Sequence, residues 1–225
     1  MKTDTISKWR FQLLLVTLLS LYAVVPFTKS RWLYDLVLTA ILIFAVSSVI
    51  EKRGRLVFFS MLAGFAIIST WYVHWFPSDS NAIIVRLLNA LFMVLIVGTI
   101  LAHVFKSTYV TRETVAGAIC AYLLIGTVWA HAFSILENMS PGSFADNLVA
   151  MKTAAGPESM RDQSDRFTYF SFVTLTTLGY GDITPLTRPA RNLAALEAVL
   201  GQLYLAVLIA RLVGKQASWG KERED

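Results

Sequence analysis

Charged residues and cysteine are scarce in this chain of 225 residues. Only 16% of the residues are charged, against about 25% in average soluble domains, so the composition argues against a soluble globular enzyme. The single cysteine, Cys120, excludes a disulfide-stapled scaffold. A disordered chain is also excluded, because 56% of the residues are hydrophobic.

Signatures of hydrolases and metal sites are missing as well. The sequence contains neither Gly-x-Ser-x-Gly nor His-Glu-x-x-His, the patterns that would indicate a hydrolase. The three histidines, His74, His103 and His131, do not have the spacing of metal ligands. We therefore predict that the chain is not an enzyme and holds no cofactor.

Long apolar runs are what the sequence has in abundance. A helix that crosses a membrane needs about 20 mainly apolar residues, and six runs reach that length. Charged or turn-forming residues separate the runs, and tryptophans lie near several run ends, where amphipathic rings prefer the headgroup level. The predicted spans are 11–28, 32–50, 56–76, 82–105, 115–136 and 190–213.

Lysine and arginine are distributed unevenly among the short loops between these runs. If the amino terminus lies in the cytoplasm, the inner loops and ends carry most of these residues, as the positive-inside rule requires. We therefore predict a multi-pass protein of the cell (inner) membrane, with both termini cytoplasmic and the lipid bilayer as its surroundings. The net charge of +5 is explained by this topology, so no nucleic-acid binding is expected.

The segment between the fifth and sixth predicted spans is not built to cross the membrane. Its apolar part, 166–177, would form a helix of about 18 Å, which is too short. The sequence Gly179-Tyr180-Gly181 follows, which predicts an irregular backbone. Such a backbone is tolerated at membrane depth only where it lines water or is buried in protein. We predict an all-α integral membrane fold with six transmembrane helices and a re-entrant pore helix and selectivity-filter loop between the last two.

The residues of this loop suit the replacement of water around a cation. Backbone carbonyls stacked along an extended loop can take the place of the hydration shell of K⁺. They face one axis when the backbone alternates in handedness, and Gly179 and Gly181 make the left-handed positions cheap. The Thr177 hydroxyl adds a ring of oxygens, and the C-terminal end of the short helix favours a cation in the cavity below.

The aromatic residues near the loop are expected to hold its width. Tyr180 should point away from the axis, toward the rings of Tyr169 and Phe170. The predicted filter, with K⁺ bound at its first four residues, is Thr177, Leu178, Gly179, Tyr180 and Gly181.

The nine residues Thr-Leu-Thr-Thr-Leu-Gly-Tyr-Gly-Asp at 174–182 resemble the signature of the potassium channel family. The stretch 141–206 around them is similar to bacterial ion-channel pore domains, which have two spans around one loop. The resemblance is strong over 115–213, whereas over 1–105 only the six-span layout matches. It implies a homotetramer whose four loops form one filter.

The resemblance also assigns individual positions. Asp182 takes the acidic position outside the filter that bonds an aromatic residue of the pore helix, for which Tyr169 could serve. Gly201 takes the place of an inner-helix hinge, although close helix packing by a small residue is an equal alternative. Val173 implies no carboxylate pair behind the filter. Leu178 departs from the commoner Val, which leaves a weakly selective cation channel as an alternative.

The last predicted span supplies a candidate cavity lining. Gln202, Leu205 and Ile209 share one helical face at spacings of three and four residues, and we expect them to face water below the filter. Glu197 should lie beside the pore helix, with Thr174 or a neighbouring chain as its partner.

Two charged residues in the first four predicted spans are candidates for an intramembrane ion pair. Asp35 and Arg86 both lie about one turn below the outer surface, and independent snorkelling to the interface is the alternative to pairing. Arg86 is the only Arg or Lys of the fourth span, whereas steep voltage gating uses about 3–4 charges per subunit. We therefore expect no steep voltage gating.

These predictions amount to a passive, potassium-selective channel. Besides a weakly selective cation channel, a non-conducting membrane subunit that assembles with other channels is left open. The predicted parts are a four-helix peripheral bundle that resembles a voltage sensor but does not sense (1–105), a cytoplasmic linker (106–114), a pore domain (115–213) and a short cytoplasmic tail (214–225).

Overall fold

The computed structural model describes residues 3–23, 27, 31–48, 53–75, 79–107, 110–146 and 160–221. Within these ranges the regular secondary structure consists of seven α-helices and one two-stranded ribbon. The helices are α1 (Thr3–Ala23), α2 (Arg31–Ser48), α3 (Arg53–Trp75), α4 (Asp79–Lys106), α5 (Arg112–Met139), α6 (Met160–Leu175) and α7 (Arg188–Lys221). The strands are β1 (Phe144–Asp146) and β2 (Ile183–Pro185).

Three of the helices are long and apolar enough to cross a membrane, among the residues that the structure describes. Their apolar stretches are Ile83–Lys106, Arg112–Met139 and Arg188–Gly214, which coincide with the last three predicted spans. The first three predicted spans are helices too, but their apolar stretches are shorter, at Arg10–Ala23, Leu36–Ser47 and Val57–Tyr72. The helices are therefore confirmed, whereas the complete six-span plan stays a prediction.

Local capping explains where α5 begins and ends. The Thr111 side chain accepts a hydrogen bond of 3.2 Å from the Thr114 amide, and Glu113 places negative charge in the positive first turn. At the other end the Ser140 amide donates to the Leu136 carbonyl. The chain then turns at Gly142, whose φ of +83° favours glycine, and enters β1.

The ribbon clamps the segment that contains α6 and the following loop. Strand β1 lies before this segment and β2 after it, and the two pair antiparallel with Phe144 opposite Pro185. The Leu186 amide also donates to the Ser143 carbonyl, at 2.8 Å. The two ends of the segment are therefore held together at one end of the α5 and α7 pair.

Two buried clusters hold the helices together. The larger cluster joins α1, α2, α3 and α4 with the N-terminal half of α5, so these five helices share one core; it includes Leu14, Leu18, Ile41, Ile96, Ile100 and Leu124. The smaller cluster joins the middle of α6 to α5, β1 and α7 and includes Phe133, Phe144, Phe167, Phe170 and Ala190.

Candidate functional site

The short helix that the sequence predicts before the Gly-x-Gly loop is present as α6. It has 16 residues and packs between α5 and α7, with Phe167, Ser171 and Leu175 fully buried. It begins at Met160 rather than at the predicted 166, so its first turns are formed by mainly polar residues. Its last turn delivers the chain directly into the loop.

The loop backbone alternates in handedness, with every second residue left-handed. The φ angles are +58° at Thr177, +62° at Gly179 and +76° at Gly181. The two glycines take the left-handed conformation that the sequence predicts for them. Thr177 does so without being glycine, which the sequence analysis missed; a β-branched residue in this region is an outlier, and strain of this kind clusters at functional sites.

The amide groups of the loop are used to tie it to the end of α6. The Thr177 amide donates to the Thr174 carbonyl at 2.9 Å, and the amides of Leu178 and Gly179 donate to the Val173 carbonyl at 2.9 and 3.3 Å. Among the described residues, no hydrogen bond reaches the carbonyl oxygens of 177–181. The first three amides of the loop are therefore bonded to the end of α6, whereas its carbonyl oxygens have no partner among the described residues.

The loop is exposed in the single chain. Residues 176–181 are all exposed, and the exposed fraction of the residue is 56% at Leu178 and 68% at Tyr180. An apolar leucine and an aromatic ring are costly to leave in water, so this surface suits contact with other chains.

Phe170 packs in the smaller cluster, where its ring lies 5.0 Å from Phe133 and 5.2 Å from Phe144, between centroids. Its predicted contact with Tyr180 as filter support stays a prediction. Tyr169, the preceding residue, is turned toward the loop because neighbouring side chains diverge by about 100° around a helix. Tyr169 is bonded to the residue that follows the loop, Asp182.

The Tyr169 hydroxyl donates a hydrogen bond to Asp182 Oδ2 at 2.6 Å, the contact that the family resemblance implies. The other oxygen, Oδ1, accepts from the Ile183 amide at 3.0 Å. The hydrogen bond raises the pKa of Tyr169 to about 12, because the neutral hydroxyl is the donor. The same bond lowers the pKa of Asp182, since it stabilises the charged carboxylate. The role of both residues as filter support stays a prediction.

Glu197 lies where α5, α6 and α7 meet. Its side chain is fully buried, and its Oε1 lies 2.5 Å from the hydroxyl of Ser171 rather than beside Thr174. The same hydroxyl lies 2.7 Å from the Gly126 carbonyl of α5. The partner is thus one turn earlier on α6 than the sequence analysis expects.

Gly201 lets α7 approach the end of α6 closely. It is buried, and a Cβ added to it would overlap the Leu175 carbonyl oxygen and lie 2.9 Å from Leu175 Cδ1. This contact supplies the packing alternative for Gly201 with a physical reason. The hinge at this position stays a prediction.

Of the predicted cavity residues Gln202, Leu205 and Ile209, the first lies beside the loop; the lining of a cavity by all three stays a prediction. Gln202 Nε2 is 3.3 Å from the hydroxyl of Thr177, the first residue of the loop. Leu205 is half-buried, and 59% of Ile209 is exposed. Leu203 lies in a different place, in an apolar groove of about 340 Å³ that Val104 and Phe105 also line.

Arg86 has a partner that the sequence analysis did not find. It is 5% exposed, and its Nη1 donates to Gln163 Oε1 of α6 at 2.6 Å. The side chain of Asp35 lies outside the described residues, so the predicted ion pair stays a prediction. No local pattern could have indicated Gln163, because the contact depends on how α4 packs against α6.

The comparisons with known proteins find one family. The family model for ion channels matches residues 90–215, from within α4 through most of α7. The match thus covers more than half of the chain and contains the loop and both helices that enclose it. No curated protein sequence matches the chain.

Proposed function

The chain belongs to the ion channel family, and we propose that it is a membrane channel that conducts K⁺ passively and selectively through a pore formed by four copies of the loop 177–181. K⁺ ions would bind at the carbonyls of Thr177, Leu178, Gly179 and Tyr180, with the Thr177 hydroxyl at the inner end. The observation that carries this proposal is the alternation of left-handed positions along the loop.

The hydrogen bonds of the loop support the same proposal. A site that replaces the hydration shell of a cation needs several oxygens that no other group uses. The amides of 177–179 are bonded to carbonyls at the end of α6, while the carbonyls of 177–181 accept no hydrogen bond from the described residues. An anion would need the opposite arrangement, with amides free to donate.

The incompleteness of one loop supports the homotetramer that the family resemblance implies. A single loop can contact an ion from one side only, so a closed ring of copies is needed, and cyclic symmetry is the usual way to close it. The large apolar residues that α7 exposes would contact lipid or neighbouring chains in that ring; they include Leu196, Val199, Leu200, Leu203 and Val207. We propose an inner-membrane location with both termini cytoplasmic.

The channel proposed here is not steeply voltage-gated. Of the basic side chains on α4, Arg86 is the one within the membrane that a field could move, and it is buried and bonded to α6. Moving it would break a buried contact, and one charge supplies only a fraction of the work that steep gating uses.

Reversal potentials of the purified chain in planar bilayers test this proposal. With K⁺ on one side and Na⁺ on the other, the current through a selective channel reverses close to the K⁺ equilibrium potential. A reversal near zero would replace the proposal with a weakly selective cation channel, which the leucine at 178 would explain. The absence of any ion flux, with a correctly folded protein, would identify a non-conducting subunit.

A further inference from the structure

A chain of hydrogen bonds between buried or half-buried side chains connects the peripheral helices to the start of α6. Arg86 of α4 donates from Nη1 to Gln163 Oε1 at 2.6 Å, and Gln163 donates from Nε2 to Asn138 Oδ1 of α5 at 2.9 Å. Arg86 is 5% exposed, and Gln163 is half-buried. Three helices are therefore joined through one amide side chain.

These two hydrogen bonds, from Arg86 to Gln163 and from Gln163 to Asn138, are called the relay below. Their donors and acceptors can be arranged in only one way. A guanidinium group can donate hydrogen bonds but cannot accept them, so the Gln163 amide must turn its oxygen toward Arg86. Its nitrogen is thereby directed at the Asn138 oxygen. Flipping the amide would set its donors against the guanidinium and lose the first bond. Arg86 thus fixes the rotamer of Gln163 and, through it, the distance of α6 from α5.

We propose that Arg86 is a positioning residue for the filter, which acts through Gln163 by holding the first turns of α6 in place. The inference rests on the proposed function, because it concerns the geometry of the loop that would bind K⁺.

A shift at the start of α6 can be transmitted to the loop at its end. It is a single helix of 16 residues, about 24 Å long, so a tilt at its start displaces its end. At that end, the carbonyls of Val173 and Thr174 hold the amides of the loop. A change in the direction of these carbonyls alters the loop itself, where the width of an oxygen ring decides which ion fits.

The neighbouring turn of α4 is anchored differently. Asn89 is 7% exposed, and its Nδ2 donates to the Thr70 hydroxyl of α3 at 3.3 Å. Helix α4 is therefore bonded to the peripheral helices through Asn89 and to the pore segment through Arg86. This contrast supplies a control, since Asn89 is a buried polar residue on the same helix whose described contact does not reach α6.

The test compares Arg86→Leu and Gln163→Leu with the control Asn89→Leu in the full chain. The permeability ratio of K⁺ to Na⁺ is obtained from reversal potentials, and thermal stability is measured in detergent. We expect both relay variants to reduce the ratio by roughly fivefold, and the double variant to reduce it no further, since coupled residues are not additive. Asn89→Leu should leave the ratio unchanged.

A conservative variant separates positioning from general destabilisation. In Gln163→Glu one carboxylate oxygen still accepts from Arg86, and the Asn138 amide can turn to donate to the other. Selectivity should therefore be retained in Gln163→Glu and lost in Gln163→Leu. Relay variants that are less stable but keep the wild-type ratio would overturn the proposal.

Hydrogen–deuterium exchange of residues 176–182 gives a second readout that does not need conduction. Arg86→Leu and Gln163→Leu should accelerate exchange in this segment, whereas Asn89→Leu should not. If the wild-type protein carries no K⁺ current, the proposed function fails, while this comparison still decides whether Arg86 positions the loop. Unchanged exchange in both relay variants would refute the inference even in a protein that conducts.

Discussion

The Ser171 hydroxyl contacts Glu197, but its one proton has a second acceptor within reach, the Gly126 carbonyl. The Ser171 hydroxyl lies 2.5 Å from Glu197 Oε1 and 2.7 Å from the Gly126 carbonyl, but it can donate to only one of them at a time. Glu197 Oε2 has no hydrogen-bond partner among the described residues. A group at position 197 that donates to the Ser171 oxygen would free the hydroxyl for Gly126.

Glu197→Gln should therefore be tolerated, whereas Ser171→Ala should not. The glutamine amide can donate to Ser171, while alanine at 171 leaves the buried Glu197 Oε1 without its donor, at a cost of about 1–3 kcal/mol. Thermal unfolding in detergent measures both effects. Ser69→Ala is the matched control, because the hydrogen bond described for Ser69 is to the carbonyl of Ala66 within its own helix. A Ser171→Ala protein as stable as Ser69→Ala would show that the hydrogen bond from Ser171 to Glu197 does not stabilise the fold.

Gly179→Ala should abolish K⁺ flux while the protein still assembles. The residue has φ +62°, where a Cβ costs about 1–2 kcal/mol per chain, although no atom lies within 4 Å of the added carbon. Gly142→Ala is the control, since Gly142 has φ +83° and equal space but lies in the turn before β1. Flux into liposomes and size-exclusion chromatography measure the two properties. Selective flux in Gly179→Ala would remove the loop from the pore.

The bond between Tyr169 and Asp182 predicts a loss of stability in acid. The pKa of Asp182 is lowered from its ordinary value near 3.8, so the contribution of the bond is complete above that pH and disappears as the pH falls below it. The pKa of Tyr169, about 12, keeps the donor protonated throughout the neutral range.

The comparison with Asp182→Asn isolates this effect. Asparagine still accepts from Tyr169 but does not titrate, so the difference in unfolding temperature between wild type and variant should change between pH 3 and pH 5 and be constant from pH 5 to 9. A difference that is constant across the whole range would show that the bond contributes no pH dependence.

Gly201→Ala should destabilise the chain, because its Cβ would overlap the carbonyl oxygen of Leu175. Overpacking of this kind costs about 1–3 kcal/mol. Gly214→Ala on the same helix is the control, since no atom lies within 4 Å of an added carbon there and alanine favours a helix. Unfolding in detergent and K⁺ flux are measured together. A stable Gly201→Ala protein with reduced flux would favour the hinge over close packing.

Gln202→Leu should change block by quaternary ammonium ions from the cytoplasmic side more than Leu203→Ala does. Gln202 lies 3.3 Å from the hydroxyl of Thr177, the first residue of the loop, whereas Leu203 lies in the groove with Val104 and Phe105. Blocker affinities measured from the inside test the difference. If Leu203 controls block, the face of α7 that borders the cavity is a different one.

Local backbone chemistry made the loop predictable, while contacts between helices were not. The spacing of Gly179 and Gly181 indicates alternating handedness, because glycine is the residue that takes positive φ at little cost. The left-handed Thr177 follows from the end of α6, where its amide bonds Thr174, and residue type alone does not reveal this.

Side-chain partners across helices depend on rotation and depth, which hydropathy determines only coarsely. Phe170 is apolar whether it faces the loop or the cluster with Phe133, so its direction could not be predicted. Likewise, Arg86 could be recognised as a costly intramembrane charge, but its bond to Gln163 depends on the packing of α4 beside α6.

The one-sided loop has a genetic consequence. In the proposed ring each chain supplies one side of every ion position, so a single Gly179→Ala chain would spoil all positions even where the other chains are intact. When altered and normal chains are co-expressed equally, most assemblies contain at least one altered copy, and much less than half of the conductance survives. Alleles altered in this loop would therefore be dominant, whereas alleles that prevent assembly would be recessive.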